Sequence, residues 1–310
     1  MSLTIPADIL PRNERYGSAS NYILTLKKTG DHPLISETER TLVLSAENME
    51  LIYDYGTFTH STALTRVYRV RVSTGGAALD LACKFGYSTE KLAALRNEAG
   101  HYLGNLKELQ GKHVPVFFGL YEGKGGFQET LDLACLITIY SGEPVTSYNE
   151  ELSPQVVQNI ADAYQAIHRA GIWTNNYHEY NSLMDDNGKI TVIDFDDASL
   201  HDCHATYRPV YNAPRPPIED LGKCPELHRL CDFFEVWLPS FIVVNRHFID
   251  LPITVEEIVD LAEGWKGYPL SGEEARAQGK AALDKIRDDW IRRGCEVPEK
   301  WWQYESQAED

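Results

Sequence analysis

The chain has 310 residues, is 43% hydrophobic and 11% aromatic, and carries a formal net charge of −17. This is enough apolar material for a sizeable core divided between two lobes, and it excludes a disordered chain. The negative charge argues against a nucleic-acid partner, whose phosphates need a basic face, but leaves room for a small anionic ligand held by a few local cations.

At the N-terminus, Pro6, Asp8, Pro11, Arg12 and Glu14 stand where a signal peptide needs an apolar core. From Leu42 to Lys84 the pattern is strand-like. "LTRVYRVRV" sets Leu64, Val67 and Val70 among polar neighbours, Gly75–Gly76 signals a hairpin turn, and "ALDLACKF" returns with Lys84 near its end. A helix follows in "STEKLAALRNEAGHYLGNLKEL", capped by Ser88 or Thr89, with Leu92, Leu95, Ala99, Leu103 and Leu106 at helical spacing. "VPVFFGLYEG" and "LACLITIY" read as two more strands joined near Gly123–Gly126, and "SGEPV" reads as a connector.

The clearest helix is "SPQVVQNIADAYQAIHRAG". Ser153 caps it, Pro154 suits its first position, Gly171 ends it, and Val156, Val157, Ile160, Tyr164 and Ile167 form its buried stripe. "NSLM" and "ITVIDF" are then short strands around the turn "DDNGK". Beyond Ser199 the chain reads as helical with Pro-rich interruptions such as "APRPPIED", ending in "LHRLCDFFEVWL", "TVEEIVDLAEGW", "GEEARAQGKAALDKIRDDWIRR" and an acidic tail after Trp302. The longest apolar run, "VWLPSFIVV", is too short for a membrane span and is broken by Pro239. Six cysteines in a chain of this size fit the reduced thiols of a cytoplasmic protein.

Chemistry-bearing residues fall in a telling order. A strand lysine, Lys84, is followed fourteen residues later by a helix glutamate, Glu98. A buried helix leads to a loop ending in Asn181, and a hairpin carries Asp194 in "IDFDDA". Over about Leu64 to Leu238 this resembles the protein-kinase-like fold, in its small-molecule phosphotransferase and fungal kinase-like branches. The resemblance implies an α+β, bilobal architecture. Residues 1–139 would form an antiparallel-sheet N-lobe, 140–146 a hinge, and 147–310 a mainly helical C-lobe. It further implies that Lys84 pairs with nucleotide phosphates, that Glu98 holds Lys84, and that Asn181 and Asp194 hold Mg²⁺. Asp232 would brace the catalytic loop.

Two departures redirect the expected chemistry. Aligning "TNNYHEYN" on Asn181 puts Asn176 at the position of the catalytic Asp and Thr174 at that of the loop His, while His178 matches a second loop His. An amide cannot take a proton from a substrate hydroxyl near neutral pH, and losing general-base help costs about 10²–10⁴-fold in rate. Glu179, Asp196 or Asp197 would be substitutes, but nothing in the spacing favours them. In place of a glycine-rich phosphate loop stands "FTHSTALTR", without glycine, where side chains hinder close approach of the backbone to phosphate.

The expectation is therefore a kinase-fold protein that binds a small organic molecule. Lys84, Asn176, His178 and Asp194 would be its catalytic groups. Lys84, Glu98, Tyr177, Tyr180 and Asn181 would line the ligand. The chemistry would be of a cyclase or isomerase type in a metabolic or biosynthetic pathway, with ATP and Mg²⁺ disfavoured as cofactors. The alternatives are a pseudokinase interaction module with a protein partner, and an atypical Mg²⁺-dependent phosphotransferase. Against these stand plainer readings: Lys84–Glu98 as a structural ion pair and His178 as a structural histidine. His201, Cys203, His204, Cys224, His228 and Cys231 have zinc-ligand chemistry but match no standard spacing, so no zinc is expected.

Overall fold

A computed structural model of the chain describes residues 2–6, 21–25, 41–43, 48–55, 65–74, 77–125, 131–145, 152–265 and 270–297. The chain is an α+β protein. It divides into two compact units, one comprising Met1–Leu152 with Asp162–Cys203, the other Ser153–Ala161 with His204–Asp310. Most of the glycine-free stretch expected at the phosphate loop, the Gly75–Gly76 turn and the acidic tail lie outside the described residues.

The first unit begins with a small sheet of β1 (Ser2–Pro6), β2 (Asn21–Thr25) and β3 (Thr41–Val43), in the order β2-β1-β3. Its main sheet comprises β4 (Met49–Tyr55), β5 (Thr65–Thr74), β6 (Ala77–Gly86), β7 (Phe117–Gly125) and β8 (Leu131–Ile139), all antiparallel, in the order β4-β5-β6-β8-β7. Strand residues alternate between faces. One face carries Tyr68 and Val70 of β5 and Leu81, Cys83 and Phe85 of β6, packed in a core that also includes Leu3 of β1. The buried register of β5 therefore runs through Tyr68 and Val70, and Val67 is only half-buried.

Lys84 and Gly86 lie on the other face, where α1 (Thr89–Leu103) docks. Ser88 caps this helix by accepting from Lys91 N at 3.1 Å. At Gly86 a Cβ would come within 2.9 Å of Lys91 Cβ, so glycine lets the helix approach closely. Leu92, Leu95 and Ala99 are buried as expected, but Leu103 is exposed and Tyr102 takes the inward position. The sheet face already holds Lys84, so the inward stripe of the helix also includes Glu98.

The expected connector forms β9 (Glu143–Pro144), which pairs with β11 (Ser182–Met184) of the following hairpin. At Gly142 (φ 115°) a Cβ would lie 2.1 Å from the Met184 carbonyl oxygen, a position only glycine can take. After α2 (Pro154–Arg169), Gly171 turns the chain at φ 86° into β10 (Ile172–Trp173). β11 pairs with β12 (Ile190–Val192), closed by the Asp185 carboxylate accepting from Asn187 N and Lys189 N at 2.9 and 3.0 Å. β10 pairs with β13 (Ser199–Leu200).

The second unit holds the short α3 (Ile218–Leu221), α4 (Pro225–Phe233), α5 (Val255–Glu263) and α6 (Gly272–Arg292). Its sequence reads as helical, yet β14 (Phe241–Val244) and β15 (His247–Asp250) form a hairpin. The turn residues Asn245 and Arg246 both have positive φ (47° and 68°), which suits a two-residue turn matched to strand twist. The Asn-Arg pair lacks the glycine that usually announces such a turn. Ile242, Val244 and Ile249 of the hairpin pack with Ile258 and Leu283 of α5 and α6. Among the described residues no helix is long and apolar enough to cross a membrane.

Candidate functional site

Asp232 belongs to the second unit, whereas the catalytic and ligand-lining residues expected from the sequence all lie in the first. Lys84 is at their centre. Its Nζ donates to Glu98 Oε2 at 2.8 Å, closely to Asp194 Oδ1, and to Asp196 Oδ2 at 3.4 Å. These side chains are mostly shielded from water. One ammonium thus faces three carboxylates.

Their protonation follows from that imbalance. Burial on its own would lower the Lys84 pKa, but the three acids outweigh it and hold the ammonium well above its ordinary range. Burial raises the Glu98 pKa, with Asp194 and Asp196 adding to the rise and Lys84 opposing it. Asp196 is raised by burial in the same way, and Asp194 adds to the rise. Asp194 is also penalised by burial, yet its contact with Lys84 prevails and depresses it. Asp194 therefore takes most of the ammonium's pairing, and the other two acids hold protons more readily than free carboxyls do.

α1 also grips the segment after Asp194. Asn97 Nδ2 donates to the carbonyls of Asp196 and Ala198, both at 3.0 Å, and His101 Nε2 bonds the Ala198 carbonyl at 3.0 Å. Phe195, fully buried, meets Tyr102 edge-on at 5.6 Å. Asp194 itself has φ 71°, a left-handed backbone uncommon outside glycine but better tolerated by Asp and Asn. With Ile193 N donating to the Asn181 carbonyl at 3.0 Å just before Asp194, the chain is anchored on both sides, which holds that conformation and turns the carboxylate toward Lys84. Neither Asn97 nor His101 carries a sequence signal that singles it out.

Asn176 is exposed, and its Nδ2 lies 3.5 Å from Asp194 Oδ2. Asn181 Nδ2 donates to the Asn176 carbonyl at 3.0 Å, and Asn175 (φ 59°) donates to the Asp197 carbonyl at 2.8 Å. The loop is thus laced to the Asp194 segment through asparagines. His178 stacks on Tyr180 at 5.1 Å, and its Nδ1 is 3.2 Å from the buried Glu179 carboxylate. Tyr180 is exposed and Tyr177 half-buried. Of the substitute acids, Glu179 is turned to His178 and only Asp196 reaches Lys84, a placement its spacing gave no reason to favour. Asp232 sits on α4, paired with Arg215 at 2.7 Å and His228 at 3.0 Å.

The zinc-type residues separate. His228 belongs to that Arg215–Asp232 network, and Cys231 is buried on the same helix. His201 and Cys203 instead converge with His168 of α2, whose inward position the apolar stripe did not announce. No known family model and no curated protein matches this chain.

Proposed function

We propose that this is a kinase-fold protein whose Lys84 centre binds a small organic molecule and performs acid–base chemistry, of the cyclase or isomerase type, instead of ordinary phosphoryl transfer. One observation carries this reading: a single ammonium is shared by three carboxylates, two of them held toward their protonated forms, while an amide occupies the expected base position at Asn176. Lys84 would polarise a ligand carbonyl. Asp196, the acid least tightly engaged with Lys84, would move a proton. His178, Tyr177 and Tyr180 would line the ligand. The kinase-like ancestry rests on the five-stranded order with the lysine strand at its middle, the Glu98 helix against it, and the hairpin that delivers Asp194. Six free cysteines support a reducing, cytoplasmic setting.

A second reading is Mg²⁺-dependent nucleotide binding. It is favoured by the oxygen-bearing set Asn181, Asp194 and Asp196, the ligand type Mg²⁺ prefers. A thermal-shift screen of carbonyl-bearing metabolites beside ATP–Mg²⁺, followed by titration calorimetry, separates the two. The expected outcome is stabilisation by a carbonyl metabolite, lost in Asp196→Asn, with ATP–Mg²⁺ weak or inert. Micromolar, Mg²⁺-dependent ATP binding overturns the first reading. So does phosphotransfer recovered in Asn176→Asp with an unchanged melting temperature. A chain that responds to neither class of ligand fits the interaction-module alternative.

A further inference from the structure

The region where α2 ends and β10 begins holds a second cluster that the Lys84 chemistry does not use. His168 is fully buried in the last turn of α2. Gly171 then reverses the chain into β10, which pairs with β13 through Ile172–Leu200 and Trp173–Ser199. Pairing continues one step further, with His201 N donating to the Gly171 carbonyl at 2.8 Å. This register brings His201 beside the end of α2, and Cys203 follows two residues later. A ligand atom from each of His168, His201 and Cys203 lies within 4.8 Å of the others.

The two imidazole rings meet edge-on, with centroids 5.2 Å apart and planes at 87°. Trp173 packs edge-on against His201 at 5.0 Å and approaches His168 at 6.4 Å, forming an apolar wall. Ring packing alone would account for the two histidines and the tryptophan. It does not account for a thiol brought to the same point. Imidazole nitrogen and thiolate sulfur are the ligands zinc prefers, and a shielded wall favours binding by excluding competing water.

We propose that His168, His201 and Cys203 are ligands of a zinc ion that clamps the C-terminal turn of α2 to the segment after β13. Binding requires the thiol and imidazoles to be deprotonated, so uptake releases protons. No bond is made or broken beyond coordination. The irregular spacing conceals the site, because one histidine precedes the other two ligands by more than thirty residues and joins them only through the β10–β13 register.

The test uses the full chain, purified without added metal and reconstituted with zinc or, separately, cobalt(II). Elemental analysis of the wild type should find about one zinc per chain. The cobalt form should show a thiolate-to-metal charge-transfer band. Cys203→Ala and His201→Ala, both at half-buried positions, should fold with unchanged far-ultraviolet circular dichroism. Cys203→Ala should lose the band, and each variant should lose most of the metal. Cys295→Ala, the control, should keep both. A wild type that takes up neither ion overturns the proposal, as does full metal retention in Cys203→Ala and His201→Ala. This outcome is independent of the ligand screen that tests the Lys84 centre.

Discussion

Two clusters in the first unit are built on neighbouring stretches of chain, and they differ in where the positive charge comes from. Around Lys84 the chain provides its own cation, which Glu98, Asp194 and Asp196 share. Around His201 the converging groups are two imidazoles and a thiol, the ligand types that zinc prefers, and the proposed cation comes from outside the chain. In the first cluster, removing the protein's cation should damage the fold. In the second, supplying an external cation should strengthen it.

The largest expected effect tests the first half of that contrast. Lys84→Ala leaves Glu98, Asp194 and Asp196 without their ammonium in a shielded site. Breaking a buried pair in this way costs about 3–5 kcal/mol, measurable by urea unfolding. A loss below about 1 kcal/mol, the scale of an exposed pair, would mean that water already screens the centre. Added zinc should restore none of the loss. The second effect tests the other half. Zinc at 100 times its dissociation constant should stabilise the wild type by about 2.7 kcal/mol. That gain should vanish in Cys203→Ala and persist in Lys84→Ala.

A smaller effect lies in the pH dependence. Glu98 and Asp196 have native pKa values above their ordinary 4.5 and 3.8, so the folded chain binds these protons more tightly than the unfolded one. Stability should therefore rise as pH falls from the raised native values toward the ordinary ones. Asp194 is depressed below 3.8, so its contribution is present above that value and is lost as pH falls through its native pKa. Thermal melts across pH should show this rise and then an acid-side fall. A stability that declines monotonically from neutral pH would contradict the crowding of three acids on one ammonium. The smallest change should come from Glu98→Gln. It removes one carboxylate from an acid-rich centre while keeping a hydrogen-bonding oxygen, so its cost should stay near the 0.5–1.5 kcal/mol typical of one hydrogen bond. It should also flatten the acid-side rise.

Much of the first unit is legible in the sequence because its signals are local. Ser88 and Ser153 cap α1 and α2 at the predicted places, and the "DDNGK" turn closes its hairpin through Asp185. The contact between Lys84 and Glu98, fourteen residues apart, is one that the resemblance to the kinase-like fold implies and that no local pattern announces. The β14–β15 hairpin is hidden in the sequence because its Asn245–Arg246 turn carries no glycine and β14 is the end of a Pro-interrupted apolar run in a stretch that reads as helical. Leu103 fits the helical period but points outward, since the inward place went to Tyr102 against Phe117 and Phe195.

The sequence by itself determined the alternation that puts Lys84 on the α1 side of β6, the helix that carries Glu98, and the amide at position 176. These follow from chain geometry over a few residues and from side-chain chemistry. Only the tertiary structure decided that Asp194 and Asp196, 110 and 112 residues beyond Lys84, both reach its ammonium. It alone also decided that His168 shares a point with His201 and Cys203. Such meetings depend on strand register and on how α1 anchors Phe195, Asp196 and Ala198. No local periodicity encodes a distance between residues that far apart in the chain.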